Sequence, residues 1–206
     1  MAIKAIEKNG RSWAWPAHDK KLLQVFDYVA DIDYIMQFVD KTGLCIQAGG
    51  ACGVWPIRFS ELFDEVVTFE PHPENYRCLI YNKMNTKGDI TPINAALSDR
   101  EGKISIQVDD SEANNCGAYY LKPGDDVPRE TLDSLNVIPD LIQLDVEGHE
   151  HAVLVGATKT LESRPVIVIE EKPLPHINDH LAARRLLEGL GYKQVGAIHR
   201  DVIFKC

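Results

Sequence analysis

The sequence predicts an α/β chain: a mostly parallel central sheet, helices on both of its faces, and an antiparallel hairpin at the C-terminal end. Three observations carry that expectation. The first is the stretch Leu44-Cys45-Ile46-Gln47-Ala48-Gly49-Gly50-Ala51-Cys52-Gly53, a short apolar run that breaks into glycines and alanines before a helical pattern opens at Val54. Strand, small-residue turn and helix make the opening unit of a doubly wound nucleotide site, where the backbone turns sharply and approaches a ligand closely. The helix start offers free N–H groups to a polar or anionic ligand. The second is the alternation of short apolar runs with helical patterns from Leu44 onward, which implies parallel strands joined by helical crossovers. The third is the ending, where residues 192–197 and 201–205 read as two short strands around Ile198-His199-Arg200.

The leader ahead of Leu44 has a different texture. Trp13, Trp15 and Pro16 precede a helical pattern over residues 18–41, in which Leu22, Leu23, Phe26, Val29, Ile32, Ile35, Met36 and Val39 recur at helical spacing. A break is placed near Asp31, and Gly43 is the stop. The plain reading is a helix over one edge of the sheet, with the two tryptophans as packing anchors. The functional reading is a lid, with the tryptophans lining a substrate pocket. The plain one is preferred.

Beyond the glycine turn, residues 54–63 read as a helix and 66–69 as the second strand. A helix follows over 73–84, with Pro73 suited to its first turn. Residues 90–96 are the third strand, and 103–108 alternate as an extra strand off the main sheet. Residues 109–129 are polar, with Pro and Gly, and read as a long loop. Residues 141–144 and 165–169 are buried strands; 150–161 and 177–190 are helices, the latter ended by Gly191.

With 206 residues and no linker-like stretch, one domain is expected over 1–206, divided into a leader, 1–43, and an α/β core, 44–206. The hydrophobic share of 45% suffices for a layered core. A net charge of −9 makes a nucleic-acid partner an unfavoured expectation, because phosphate binding needs clustered Lys and Arg. No apolar run approaches the roughly 20 residues of a membrane span, and Met1-Ala2-Ile3-Lys4 lacks the apolar core of a signal peptide. No membrane partner and a cytoplasmic location are therefore expected. Cys45, Cys52, Cys78, Cys116 and Cys206 are odd in number and contain no C-x-x-C, so neither a zinc site nor a disulfide framework is suggested.

Three further stretches carry chemistry. Phe69-Glu70-Pro71-His72-Pro73 ends the second strand about twenty residues beyond the glycine turn, where a carboxylate such as Glu70 can accept two hydrogen bonds from a ribose diol. Asn94-Ala95-Ala96-Leu97-Ser98-Asp99 leaves the third strand at the same sheet edge; Leu97 can cover an adenine face, and Ser98 or Asp99 can bond its exocyclic amine. Leu141-Ile142-Gln143-Leu144-Asp145-Val146-Glu147-Gly148-His149-Glu150 sets two carboxylates and a histidine beyond a central strand, at the ligand crevice. Glu150 alone reads as a helix-start acid.

These blocks, with Thr131-Leu132-Asp133-Ser134-Leu135 and Leu154-Val155-Gly156-Ala157, together resemble FkbM-type S-adenosylmethionine-dependent methyltransferases from about Leu44 to near the C-terminus. The resemblance implies a Rossmann-like class I methyltransferase fold, S-adenosylmethionine as cofactor, and O-methylation of a sugar or small-molecule hydroxyl. Carried over, Gly49 and Gly53, with Gly50 between them, would line the methionine part of the cofactor; Glu70, beside Pro71, would hold the ribose; Ala96, Leu97, Ser98 and Asp99 would border the adenine. Asp145 and Glu147 would face the methyl group or the acceptor. Two positions depart: the family usually has an acidic residue where Gln47 stands and an asparagine where Ala51 stands. Gln47 remains a candidate partner of the amino-acid moiety, as a neutral group.

The methyl sulfonium is itself the electrophile, so the protein has to align an oxygen and remove its proton. Asp145, Glu147 and His149 are the candidate catalytic bases, with Asp145 preferred. No metal is assigned; the alternative is Mg²⁺ on Asp145 with Glu170 or Glu171. Two rival functions stand beside the methyltransferase: an inactive cofactor-binding scaffold, motivated by Gln47 and Ala51, and a nicotinamide oxidoreductase, which the terminal hairpin and the Asp-Val-Glu-Gly block argue against.

Overall fold

The computed structural model describes residues 2–108 and 112–206. The leader opens with a hairpin, not a helix: β1 (Ile3–Lys8) and β2 (Arg11–Pro16) pair antiparallel, Ile3 opposite Pro16 and Lys8 opposite Arg11. Asn9 and Gly10 between them hold φ of 54° and 71°, the left-handed pair of a two-residue turn for which Asn-Gly is the preferred sequence. The helical spacing after it survives only in pieces. A 3-10 turn spans Leu22–Asp27, α1 spans Asp31–Ile35, and a second 3-10 turn spans Met36–Phe38. Trp13 and Trp15, two residues apart on β2, leave the same face and pack on Phe26 with ring centroids 5.1 and 5.4 Å away. Both are buried, as packing anchors.

The core follows in alternation. In order come β3 (Leu44–Ala48), α2 (Val54–Phe59), β4 (Glu65–Phe69), α3 (Pro73–Lys83) and β5 (Ile90–Ile93). Then β6 (Ala96–Leu97), β7 (Gly102–Val108) and β8 (Tyr119–Glu130) form a small separate sheet. The chain returns with β9 (Leu141–Leu144), α4 (Glu150–Val155), β10 (Val166–Glu170), α5 (Ala182–Gly189), β11 (Lys193–Ile198) and β12 (Asp201–Lys205).

The main sheet has the order β11-β12-β10-β9-β3-β4-β5. All its neighbours are parallel except β12, which runs antiparallel to β10 and to β11. From β3 the chain winds outward to β4 and β5, then crosses to β9 on the other side, so a topological switch point lies between β3 and β9. Both faces of the sheet are covered, which is why its central strands are largely apolar. Cys45, Leu141, Val166 and Val168 pack with the leader, α2 and α3. Their strand neighbours Ile46, Ile142, Ile167 and Ile169 pack with α4 and α5.

Several boundaries differ from the sequence reading. The helix at 54–63 ends at Phe59, α4 ends at Val155 and α5 begins only at Ala182. The third strand ends at Ile93, and Ala96 joins the small sheet. The largest difference is β8, in the stretch read as a loop; residues 109–111 of that stretch lie outside the described residues. Its pairing with β7 steps from Ser105↔Lys122 to Ile104↔Val127. Pro123, Gly124, Asp125 and Asp126 are passed over between those pairs. The polar Pro-Gly signal therefore marked a local interruption inside a strand pair.

Candidate active site

The carboxyl ends of β3, β4 and β9 open into one cavity beside the switch point. The sheet side is lined by Gln47, Gly49, Gly50, Ala51, Gln143, Asp145 and Glu147. Phe69, Glu70, Pro71, Ala96 and Leu97 line the flank toward β5. The far wall comes from the leader, at Leu22 and Val25, and from Cys116, Tyr119 and Leu121 at and just before the start of β8, stretches read from sequence as a covering helix or lid and as a long loop. Asp19 ties these together. Its carboxylate accepts the Trp15 indole N–H at 2.9 Å and the backbone N–H groups of Leu22 and Cys116, both at 3.1 Å.

The glycine turn is built for close approach. Gly49 has φ +89°, and a methyl group there would overlap the Asp145 carbonyl oxygen. Gly49 and Gly50 both donate their N–H to the Phe69 carbonyl, at 3.0 and 2.9 Å, which holds the turn against the end of β4. Gly53 caps α2 and is not part of the cavity lining.

Glu70 is buried at the mouth of β4. Its two oxygens accept the Ala51 and His72 backbone N–H groups, each at 2.7 Å. Burial pushes its carboxyl up to about 7, against the pull of those two N–H groups. Ala51, whose N–H Glu70 accepts, itself holds φ 44°. Asn94, unassigned from sequence, donates to the Glu70 and Pro71 carbonyls at 2.8 and 3.2 Å and fixes this exit.

Ala96 and Leu97 face the cavity, but Ser98 does not. It is fully buried, with its hydroxyl 2.9 Å from His149 Nε2 and donating to Asp99 Oδ1 at 3.1 Å. Asp99 is turned toward Arg100 and Arg129, at 3.5 and 3.6 Å. The sequence expectation that Ser98 or Asp99 borders the cavity is thus corrected, because the strand exit buries one and pairs the other. His149 is corrected likewise. It lies outside the cavity lining, and burial pulls its pKa down to about 4, partly offset by Asp99. The imidazole is neutral at pH 7 and committed to Ser98.

At the end of β9 the charges concentrate. Asp145, Glu147 and Glu170 each offer an oxygen within 4.8 Å of the others. Glu171 is not among them; Arg184 takes both of its oxygens at 2.8 and 2.9 Å. Burial, then the charges of Glu170, Glu147, Asp201 and Glu150, push Asp145 upward. Asp145 is nevertheless exposed to solvent at the crevice, so the neighbouring carboxylates, more than burial, carry that upward push. Lys172 Nζ lies 2.9 Å from Glu147 Oε2. Burial lowers the Lys172 pKa, but the Glu147 bond and the charges of Glu147, Glu170 and Asp145 outweigh it and raise the net value. Glu147 holds φ 51°, and Glu150 braces this turn by accepting the Val146 and Gly148 N–H groups at 3.1 and 3.3 Å.

Gln47 and Gln143 lie side by side, in register across β3 and β9, and both are buried. Gln47 accepts the Thr68 hydroxyl at 2.5 Å and donates to the Ala48 carbonyl at 3.2 Å. Gln143 was passed over in the sequence. Its signal was an amide inside an otherwise apolar strand, two residues before Asp145.

This arrangement has known relatives. A hexuronic acid methyltransferase, AglP, of Haloferax volcanii is 29% identical over 112 residues, which are 51% of this chain and 46% of that protein. The chain thus matches about half the length of this curated relative. Three solved structures share the fold at low identity. One is precorrin-6y C5,15-methyltransferase from Geobacter metallireducens, at TM-score 0.55 and 15% identity, covering 90% of each chain. Another is Trm5b from Pyrococcus abyssi, at 0.56 and 13%, covering 98% of this chain and 55% of that one. The third is M. jannaschii TYW2 in complex with AdoMet, at 0.52 and 13%, covering 98% and 86%. The methyltransferase FkbM domain matches residues 60–193. That span takes in Glu70 and the Asp145 turn and begins after the glycine turn, so Gln47 and Ala51 lie outside it. The chain belongs to the FkbM methyltransferase family, and its cofactor is S-adenosylmethionine.

Proposed function

We propose that the protein transfers a methyl group to a hydroxyl of a sugar or related small molecule, with Asp145 as the group that receives the hydroxyl proton. The observation that carries this reading is the position of Asp145: at the end of the central strand, open to the cavity, with neighbouring carboxylates that push its carboxyl above the usual range. The similarity to a hexuronic acid methyltransferase supports a sugar acceptor. A hydroxyl suits this end better than a carboxylate, because Asp145, Glu147 and Glu170 would repel a second anion, and Lys172 on Glu147 and Arg200 at 3.9 Å from Glu170 offset them only in part.

The cofactor supplies an activated methyl group when bound. The chain's own residues do the rest. Glu70 keeps one lone pair per oxygen for a ribose diol, since each oxygen already accepts one backbone N–H. Pro71, Ala96 and Leu97 provide the apolar flank for the adenine. Gly49 and Gly50 let the turn pack against the Asp145 backbone and the Thr68 and Leu79 side chains, and both line the cavity where the methionine part would lie. Asp145 orients the acceptor oxygen and takes its proton, and Lys172 holds Glu147 in place. We assign the counter-charge at this end to Lys172 and not to a divalent cation.

The test is methyl transfer from labelled S-adenosylmethionine to a panel of neutral and uronate saccharides, with and without a chelator. Transfer to neutral saccharide hydroxyls that survives chelation is expected. A base-labile methyl ester on uronates, in place of a stable methyl ether, would overturn the hydroxyl assignment, and loss of turnover on chelation would return the acidic cluster to a metal. Cofactor binding with transfer to no acceptor in any extract would favour the scaffold reading. No described helix is long and apolar enough to cross a membrane.

A further inference from the structure

We infer that Gln143 is a cofactor-binding residue whose amide oxygen accepts a hydrogen bond from the α-ammonium of the cofactor's methionine portion. The inference rests on the cofactor layout proposed above, with the ribose at Glu70.

Gln143 is 1% exposed and lines the cavity, yet its Oε1 has no hydrogen-bond partner among the described residues. Buried amide oxygens are almost always paired, so an unpaired one that faces a cavity points to a donor brought by a ligand. Its neighbour Gln47, opposite it in register, already has its oxygen committed to Thr68. The two amides therefore divide the work: Gln47 is held by the protein, and Gln143 is left to receive. The kind of donor follows from the surroundings. Two residues further along the same strand face stands Asp145, beside Glu147, and a site bordered by carboxylates favours a cation over a neutral N–H. The cofactor carries one ammonium, and with its ribose at the end of β4 the amino-acid portion falls toward β3 and β9. Gln47 carries no charge, and Gln143 supplies a free acceptor one strand away.

The test uses Gln143→Met, which keeps length and volume and removes the acceptor. Three ligands are titrated by calorimetry into both proteins: S-adenosylhomocysteine, its decarboxylated analogue, and 5′-methylthioadenosine, which lacks both ammonium and carboxylate. The variant is expected to bind the first two about tenfold more weakly, as befits a charge-assisted bond, and methylthioadenosine unchanged. Its unliganded Tm is expected to be equal to or above that of the wild type, because an unpaired buried oxygen has been removed. Equal weakening of all three ligands would make Gln143 a shaping residue and overturn the inference. So would no weakening of any, or weakening of S-adenosylhomocysteine alone, which would assign Gln143 to the carboxylate. The ribose layout is tested separately by Glu70→Ala, which is expected to weaken methylthioadenosine as well. If it does not, the layout fails, whatever Gln143 does.

Discussion

Two acids, Glu70 and Asp145, stand at the ends of strands on either side of β3, Glu70 buried and Asp145 exposed at the crevice, and the molecule treats them in opposite ways. Glu70 is fastened. Two backbone N–H groups hold its oxygens at 2.7 Å, and one of them comes from a residue in the left-handed region. Asp145 has no such clasp; its neighbours are other carboxylates and the Lys172 ammonium. A carboxylate satisfied by fixed donors is suited to holding a ligand in one pose. A carboxylate raised by like charges around it, and open to a cavity, is suited to exchanging a proton. The same residue chemistry is thus split into a binding end and a reacting end by what surrounds it.

The strongest way to break this comparison is Asp145→Asn. It keeps the shape and loses the base, so kcat is expected to fall by about a hundredfold or more, while S-adenosylhomocysteine affinity changes by less than about threefold. Single-turnover rates set against calorimetry measure the two separately. Normal turnover would make Asp145 structural, and a parallel fall in both would make it a second binding acid.

The mirror experiment is on Glu70. Glu70→Ala is expected to weaken S-adenosylhomocysteine about tenfold or more, the loss of a hydrogen bond to a charged group. The pH dependence sharpens the point. With its carboxyl near 7 in the free protein, Glu70 is protonated below that value. Ribose hydroxyls donate best to the charged form, so binding below pH 7 must expel a proton. Wild-type affinity is therefore expected to drop as the pH falls from 7 toward 5, by at most about tenfold per unit. Glu70→Gln is expected to flatten that slope, and a slope that persists in the variant would move the titration to another group.

Lys172→Met addresses the reacting end with a smaller effect. Without the ammonium, Asp145 loses its nearby positive charge and Glu170 keeps only Arg200 at 3.9 Å, so Asp145 rises further and the acid limb of the pH–rate profile moves to higher pH. Turnover at pH 7 is expected to fall about three- to tenfold and to recover toward pH 9, a shift of roughly one pKa unit or less. A uniform loss across the pH range would point to disorder of the Glu147 turn instead.

The smallest expected change is in the clasp itself. Alanine at φ 44° is in a region that L side chains avoid and that asparagine tolerates better. Ala51→Asn is expected to raise unfolding stability by about 0.5–1 kcal/mol, read from denaturant midpoints with and without S-adenosylhomocysteine. A destabilised variant would mean that the cavity wall, and not the backbone, decides this position.

How much of this was legible differs by region. The path from Leu44 through Phe69 to the terminal hairpin was readable because strand, turn and helix signals are local, and the sheet order then follows from few allowed topologies. The four-residue interruption in β8 hid a strand, since Pro123 and Gly124 speak for a turn without saying that pairing resumes. Asn9-Gly10 was a readable hairpin signal that the helical spacing behind it overshadowed.

By itself, the sequence determined the α/β order, the glycine turn, the acids at 70 and 145, and the family. It could do so because period, turn chemistry and spacing act over a few residues. Only the tertiary structure decided which polar groups share the cavity. His149 and Ser98 turn to each other, Lys172 reaches Glu147 from the next strand's end, the leader and β8 close the far wall, and Gln143 lies beside Gln47. Those outcomes depend on strand register and on side chains brought together from distant parts of the chain, where each buried polar atom must find a partner from whatever the fold places beside it.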